Sequence, residues 1–141
     1  MDTYATHATR HGASLACFPE CFLQEYCPDD GYIAEAAVAL TSSEFDRVLR
    51  SLKHLEPTVV VGSIERTGNT FFHSAVTVQS GNLAAAYRKT HLLDSEQTIF
   101  QPGDDHPVFD FCCGTTLGIN ICYDLNSMNR SKRALAPESS Y

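Results

Sequence analysis

The sequence predicts an α/β protein in which mixed sheets pack under helices, and three features lead there. One is the order of elements along the chain, which reads strand, helix, strand, hairpin, strand, strand. Another is a pair of apolar runs, residues 14–18 and 58–65, of the kind that form buried strands. The third is an amphipathic helical stretch between those runs. Parallel and antiparallel pairings are expected in the same molecule. An all-β sandwich or a helical bundle fits this order less well.

Taken in order, residues 14–18 (S-L-A-C-F) form a short strand stopped by Pro19, which cannot donate to a continuing ladder. The Ala-rich stretch 32–40 is expected to be helical. Thr41 and Glu44 have the spacing of a capping box, and Phe45, Val48, Leu49, Leu52 and Leu55 then recur at helical intervals until Pro57. Residues 58–65 (T-V-V-V-G-S-I-E) read as a buried strand, followed by a turn at Thr67-Gly68-Asn69. Residues 70–79 and 83–88 flank Ser80-Gly81-Asn82 and so form a hairpin. A long loop with Pro102-Gly103 and Pro107 leads to a strand at 108–113. After Gly114, residues 115–121 make a further strand with Leu117, Ile119 and Ile121 on one face. Residues 1–12 neither alternate nor make an apolar run, and they are assigned no element.

Composition narrows the function. A length of 141 residues suits one domain, and 43% hydrophobic with 19% charged residues describes a globular chain. The net charge of −7, with ten scattered Lys and Arg, excludes the basic face a nucleic-acid binder needs. No apolar run approaches the roughly 20 residues that span a bilayer, so no membrane partner is expected. The polar start lacks a signal-peptide pattern, which makes a cytoplasmic setting the default and the six cysteines reduced thiols. No two of them form a Cys-x-x-Cys pair, so a zinc knuckle is not expected; no metal or cofactor is assigned to the chain. Most are expected to be buried as small hydrophobes.

Three reactive residues each follow a predicted strand: Glu20, Lys89 and Cys122. In layered α/β folds, sites gather where strands exit at their carboxyl ends. A cysteine attacks as thiolate and a free thiol is only slightly ionised at neutral pH, so a carboxylate that takes its proton is useful. A lysine ammonium stabilises negative charge building on a carbonyl oxygen or nitrile nitrogen. Read singly, each has an ordinary explanation. Glu20 is loop sequence, Lys89 beside Arg88 marks a solvated strand end, and Cys122 is a core thiol. A Cys–His thiol hydrolase using His91 or His106 is a competing arrangement.

Three segments carry a resemblance that favours the joint reading. Phe18-Pro19-Glu20, Tyr87-Arg88-Lys89-Thr90-His91-Leu92 and Gly118-Ile119-Asn120-Ile121-Cys122-Tyr123-Asp124 resemble, in order and separation, the three catalytic blocks of the nitrilase superfamily of carbon–nitrogen hydrolases. The resemblance runs from about Ala13 to Asn126. It implies an α-β-β-α sandwich, with Glu20 as general base, Lys89 stabilising the tetrahedral intermediate and Cys122 forming a thioester. It also implies a second glutamate between the Lys and Cys blocks, best matched by Glu96, while Tyr123 follows the nucleophile, so its backbone amide is available to an oxyanion hole. Asp124 is expected to pin the turn after Cys122. The substrate implied is a small amide or nitrile, and members of the family commonly form homo-oligomers.

The chain also departs from that family. The opening core strand and the second half of the domain are expected to be missing, and 127–141 reads as a divergent tail. Residues 1–141 are therefore expected to be a single partial domain, truncated at both ends. A non-catalytic module that pairs with full-length relatives is the alternative function, since open sheet edges favour such pairing. Metal storage through Cys and His is a weaker third.

Overall fold

Ten strand residues on either side of a Gly68-Asn69 turn make the longest pairing. In the computed structural model, which describes residues 2–27, 29–112 and 114–125, strand β2 (Thr58–Thr67) turns through Gly68 into β3 (Thr70–Gln79). Gly68 takes a φ of 60°, which costs least for a residue without Cβ. The antiparallel register sets Val59 opposite Val78, Val61 opposite Val76 and Ile64 opposite His73. Ser80 and Gly81, both at positive φ, then form the two-residue turn into β4 (Asn82–Arg88). On the other edge, β1 (Leu15–Cys17) pairs parallel with β2. The order is β1-β2-β3-β4, and the mixed pairing expected from the sequence is present.

Alternation along β2 and β3 gives this sheet two unlike faces. On one, Val59, Val61, Val76 and Val78 pack with Val38, Leu52 and Leu55. Ala5 of α1 (Asp2–Arg10) and Phe45 of α3 (Ser43–Ser51), both fully buried, close this layer. Each large side chain buried here contributes about 1.5–3 kcal/mol. On the other face, Ala75 and Tyr87 pack with Ile121, and Val60 and Ile119 lean on them. That face looks toward a second sheet, the antiparallel pair β5 (Val108–Asp110) and β6 (Thr116–Gly118). Helices outside and two sheets inside make an incomplete α-β-β-α sandwich, the predicted fold class.

Several elements differ from expectation for local reasons. Residues 2–10 are helical although their pattern is polar, because the small Ala5 docks on the core and Thr9 bonds back to its carbonyl at 3.1 Å. Helix α2 covers Asp30–Ala36, not 32–40. It ends early because Val38 is drawn onto β2, donating to Ile64 O at 3.0 Å and accepting from Arg66 N at 2.9 Å. The cap of α3 is Ser42 rather than Thr41, its hydroxyl accepting from Phe45 N at 3.1 Å. β5 and β6 are three residues each, shorter than the predicted strands. Of the cysteines, Cys21 is buried, Cys27 is intermediate and Cys17, Cys112 and Cys122 are exposed, against the expectation of a mostly buried set. The tail 127–141, Asn126 and Cys113 lie outside the described residues. No helix among the described residues is long and apolar enough to cross a membrane.

Candidate active site

Glu20 reaches the site because β2 offers a glycine under the turn that carries it. After β1, Phe18 N donates to Val60 O at 2.8 Å, and the chain then folds over β2. A Cβ on Gly62 would lie 2.3 Å from Pro19 O and 2.6 Å from Glu20 Cα, so no side chain fits there. The turn is fastened on its far side by Leu23 N to Gly62 O at 3.1 Å. The Gln24 amide then grips Ile64, donating to its carbonyl at 3.1 Å and accepting from its N–H at 2.9 Å. Cys21, next to Glu20, sits at a φ of 53°, a conformation held by these surroundings.

Lys89 is the first residue beyond β4. Its N–H donates to His73 O at 2.8 Å, which sets the two side chains beside each other on the sheet face turned toward β5 and β6. The ammonium Nζ lies 3.0 Å from Glu20 Oε1 and 2.8 Å from Glu96 Oε1, and the lysine side chain is wholly buried. Burial alone would lower the lysine pKa, but the hydrogen bonds it donates to Glu96 and Glu20 outweigh that and raise it above its ordinary value. Glu96 is itself fixed, since its Oε2 accepts from Leu93 N at 2.8 Å. Glu20, Lys89 and Glu96, proposed from sequence, thus meet at one point.

Cys122 stands at a φ of 45° in a turn after β6, with Leu125 N bonded to its carbonyl at 3.3 Å. It is exposed, and with Glu20 it lines a cavity of about 520 Å3 between the two sheets. Asp124 explains how the Cys turn is held against the Lys turn. Its Oδ2 accepts from Tyr87 Oη at 2.7 Å and Ile121 N at 2.9 Å, and its Oδ1 from His91 N at 2.8 Å and Thr90 N at 3.2 Å. Burial would raise its pKa, and these donors bring it below the ordinary carboxylate range. The pinning role expected of Asp124 therefore extends to both loops.

The remaining candidates are placed differently. The ring of Tyr123 lines a second cleft of about 410 Å3, together with Thr90 and His91. His91 is tied to Thr90 and Asp124, at 2.9 and 3.3 Å, and His106 stacks on Tyr87. Neither is a lining residue of the Cys122 cavity. Two contributors escaped the sequence reading, His73 and Gly62. A glycine inside an apolar strand signals close backbone approach, and that signal was present in T-V-V-V-G-S-I. His73 had only its inward phase in β3 to mark it.

Glu20, His73 and Glu96 each offer a ligand atom within 4.8 Å of the others, a grouping that could hold a metal ion. The Lys89 ammonium already bonds both carboxylates, so a cation of the chain itself meets part of their charge.

A family model described as carbon-nitrogen hydrolase matches residues 1–139. An (R)-stereoselective amidase of Pseudomonas sp is 33% identical over 122 residues, which is 86% of this chain and 43% of that protein. A nitrilase of Pyrococcus abyssi is 31% identical over 126 residues, 83% of this chain and 45% of that protein. The chain thus spans about half the length of the curated relatives it matches. An amidase of Nesterenkonia AN1 from the nitrilase superfamily superposes with a TM-score of 0.75 at 23% identity, over 88% of this chain and 49% of that one. At that identity the likeness is one of fold.

Proposed function

We propose, since the chain belongs to the carbon-nitrogen hydrolase family, that it carries the reactive half of an enzyme that hydrolyses a small amide or nitrile through a thioester on Cys122. The observation that carries this reading is the wholly buried Lys89 ammonium, gripped at 3.0 and 2.8 Å by two carboxylates, one of which shares a cavity with an exposed cysteine.

For an amide, the steps follow from those groups. Glu20 takes the thiol proton as Cys122 Sγ bonds to the substrate carbonyl carbon. Lys89 and a backbone amide near Tyr123 hold the negative charge that forms on oxygen. Glu20 returns its proton to the nitrogen as the C–N bond breaks, releasing ammonia or an amine and leaving the thioester. Water, giving a proton to Glu20, then attacks that carbonyl, and the C–S bond breaks with the proton returned to sulfur. Glu96 keeps Lys89 in place throughout. A lysine that must stay charged while buried needs more than one anion, since an ammonium taken from water loses several kcal/mol of solvation.

The experiment is to assay ammonia release from a panel of short amides and nitriles, and to trap the acyl-enzyme by mass spectrometry. Acylation should map to Cys122, and Cys122→Ala should abolish both signals while its melting curve stays that of the wild type. Full turnover by the alanine variant would overturn the mechanism.

A further inference from the structure

Beneath the carboxylates and Lys89 lie two groups that the reaction above does not use, His73 and Cys21. His73 is 1% exposed, with Phe100 and Tyr26 against its ring at centroid distances of 3.8 and 5.9 Å. Its Nδ1 lies 3.4 Å from Glu20 Oε1 and its Nε2 lies 3.7 Å from Glu96 Oε1. Those are the same two oxygens that bond Lys89. Ring and ammonium therefore address one pair of atoms from two sides. Nε2 has no hydrogen-bond partner, an unusual state for a buried nitrogen.

The protons can be placed. Cys21 Sγ is 3.1 Å from His73 Nδ1. Burial, reinforced by Glu20, pushes the Cys21 thiol up to about 12, so it keeps its proton and donates to Nδ1. A ring that accepts there carries its own proton on Nε2, the nitrogen 3.7 Å from Glu96 Oε1. Burial lowers the pKa of His73, Glu20 and Glu96 pull it up, Lys89 pushes it down, and the outcome lies below its ordinary 6.5. A pKa on that side of the ordinary value favours the uncharged ring at neutral pH.

We propose that His73 is a positioning residue: uncharged, it leaves Glu20 and Glu96 to Lys89, and protonated, it competes with Lys89 for the same two oxygens and holds Glu20 back from the thiol proton. A second cation at this range favours the ionised carboxylate and so weakens it as a base. The inference rests on Glu20 acting as base toward Cys122. The charged and titratable groups facing the ring are Glu20, Glu96 and Lys89, which set its charge balance, Cys21, which meets Nδ1, and Tyr26, which stacks on it.

The test compares the wild-type chain with His73→Gln and Cys21→Ala. Ring 15N shifts of His73, followed from acidic to mildly alkaline pH, should show the Nε2–H tautomer at neutrality and charging at lower pH than an exposed histidine. The pH profile of Cys122 alkylation by iodoacetamide, or of kcat/KM, should break on its acid side where His73 charges. In His73→Gln that break should move down by roughly one pH unit, the scale of a neighbouring charge. In Cys21→Ala, which removes the donor favouring the neutral ring, ring titration and break should move up together. A break that stays put in His73→Gln, or a ring still uncharged below the break, would overturn the proposal. If Cys122 neither turns over nor alkylates, the hydrolase reading fails by itself. The competition is then read from 13C shifts of the Glu20 and Glu96 carboxyls, which must move as His73 charges. Shifts that stay constant through that pH would refute it.

Discussion

Arg88 and Lys89 are adjacent in sequence, yet they end on opposite faces of the sheet in opposite circumstances. Arg88 lies on the helix-covered face and binds one carboxylate, with Nε 3.0 Å from Glu65 Oε2 and Nη2 2.5 Å from Oε1. Ser74 and Thr67 complete Glu65, and the guanidinium lies 4.0 Å from the centre of the Phe72 ring. Burial alone would raise the Glu65 pKa, and the bonds from Arg88 and Ser74 bring it below its ordinary value. That pair is closed, with its charge balanced. Lys89 faces two carboxylates with one charge, beside a histidine whose Nε2 is unpartnered, on the face that borders a cavity. The closed pair holds strands together; the unbalanced cluster is the one to which the proposed reaction gives the proton transfers.

The largest effects should come from swapping these two cations for an apolar isostere. Lys89→Met should lose turnover by about a thousandfold or more, since one preorganised donor is worth 10²–10³ and the carboxylate base is also misplaced. It should also destabilise the fold by about 3 kcal/mol, the scale for breaking a buried pair. Arg88→Met should cost about 2 kcal/mol, less because the guanidinium is more than a third exposed. Turnover per folded molecule should stay near wild type in Arg88→Met. Urea melts beside ammonia-release assays separate the two. Equal losses of activity would erase the distinction between the faces.

Gly62→Ala probes the reactive face without touching a charge. The added methyl meets Pro19 O at 2.3 Å and Cys21 N at 2.5 Å, both backbone atoms, so the Glu20 turn must rise off β2. Destabilisation of about 2 kcal/mol is expected from the overpacking. Displacing Glu20 by about 1 Å should lower kcat roughly a hundredfold. A crystal structure of the variant with the turn unmoved, or unchanged kcat, would show that the glycine is incidental.

What could be read from the sequence divides along similar lines. The hairpin was legible because residues 70–79 and 83–88 both read as strands and Ser80-Gly81 announces the turn, although the shift of register between Thr77 and Val78 left no mark in the sequence. Glu20, Lys89 and Cys122 stood out by following strands, and Glu96 by family resemblance. The helix at Asp2–Arg10 was not legible, because a single small residue, Ala5, makes its core contact and leaves no periodic apolar stripe. Thr41 and Ser42 both suit an N-cap, and only the position of Phe45 N chose between them. His73 was hidden for a different reason. Its meaning depends on which loops cross above β3, and the separation of Glu20, His73 and Glu96 in sequence carries no trace of that.

The smallest expected effect, and the most dependent on pH, belongs to Asp124. It joins the two loops from behind the site, and the donors it accepts from are the Tyr87 and Thr90 hydroxyls and the N–H groups of Thr90, His91 and Ile121. Asp124→Asn keeps the shape but turns an NH2 group toward donors, which should cost about 2 kcal/mol and roughly tenfold in kcat, through the setting of the Cys122 and Lys89 turns. The sign with pH follows from a folded-state pKa held below the ordinary 3.8. The advantage of wild type over the asparagine variant is complete above that ordinary value and is lost as pH falls through the lowered one. Urea melts of both proteins at neutral pH and at successively more acidic pH read the difference directly. An advantage that stays constant into strong acid would mean that Asp124 acts by shape, and the charge that links the Lys and Cys loops would have no role in holding them.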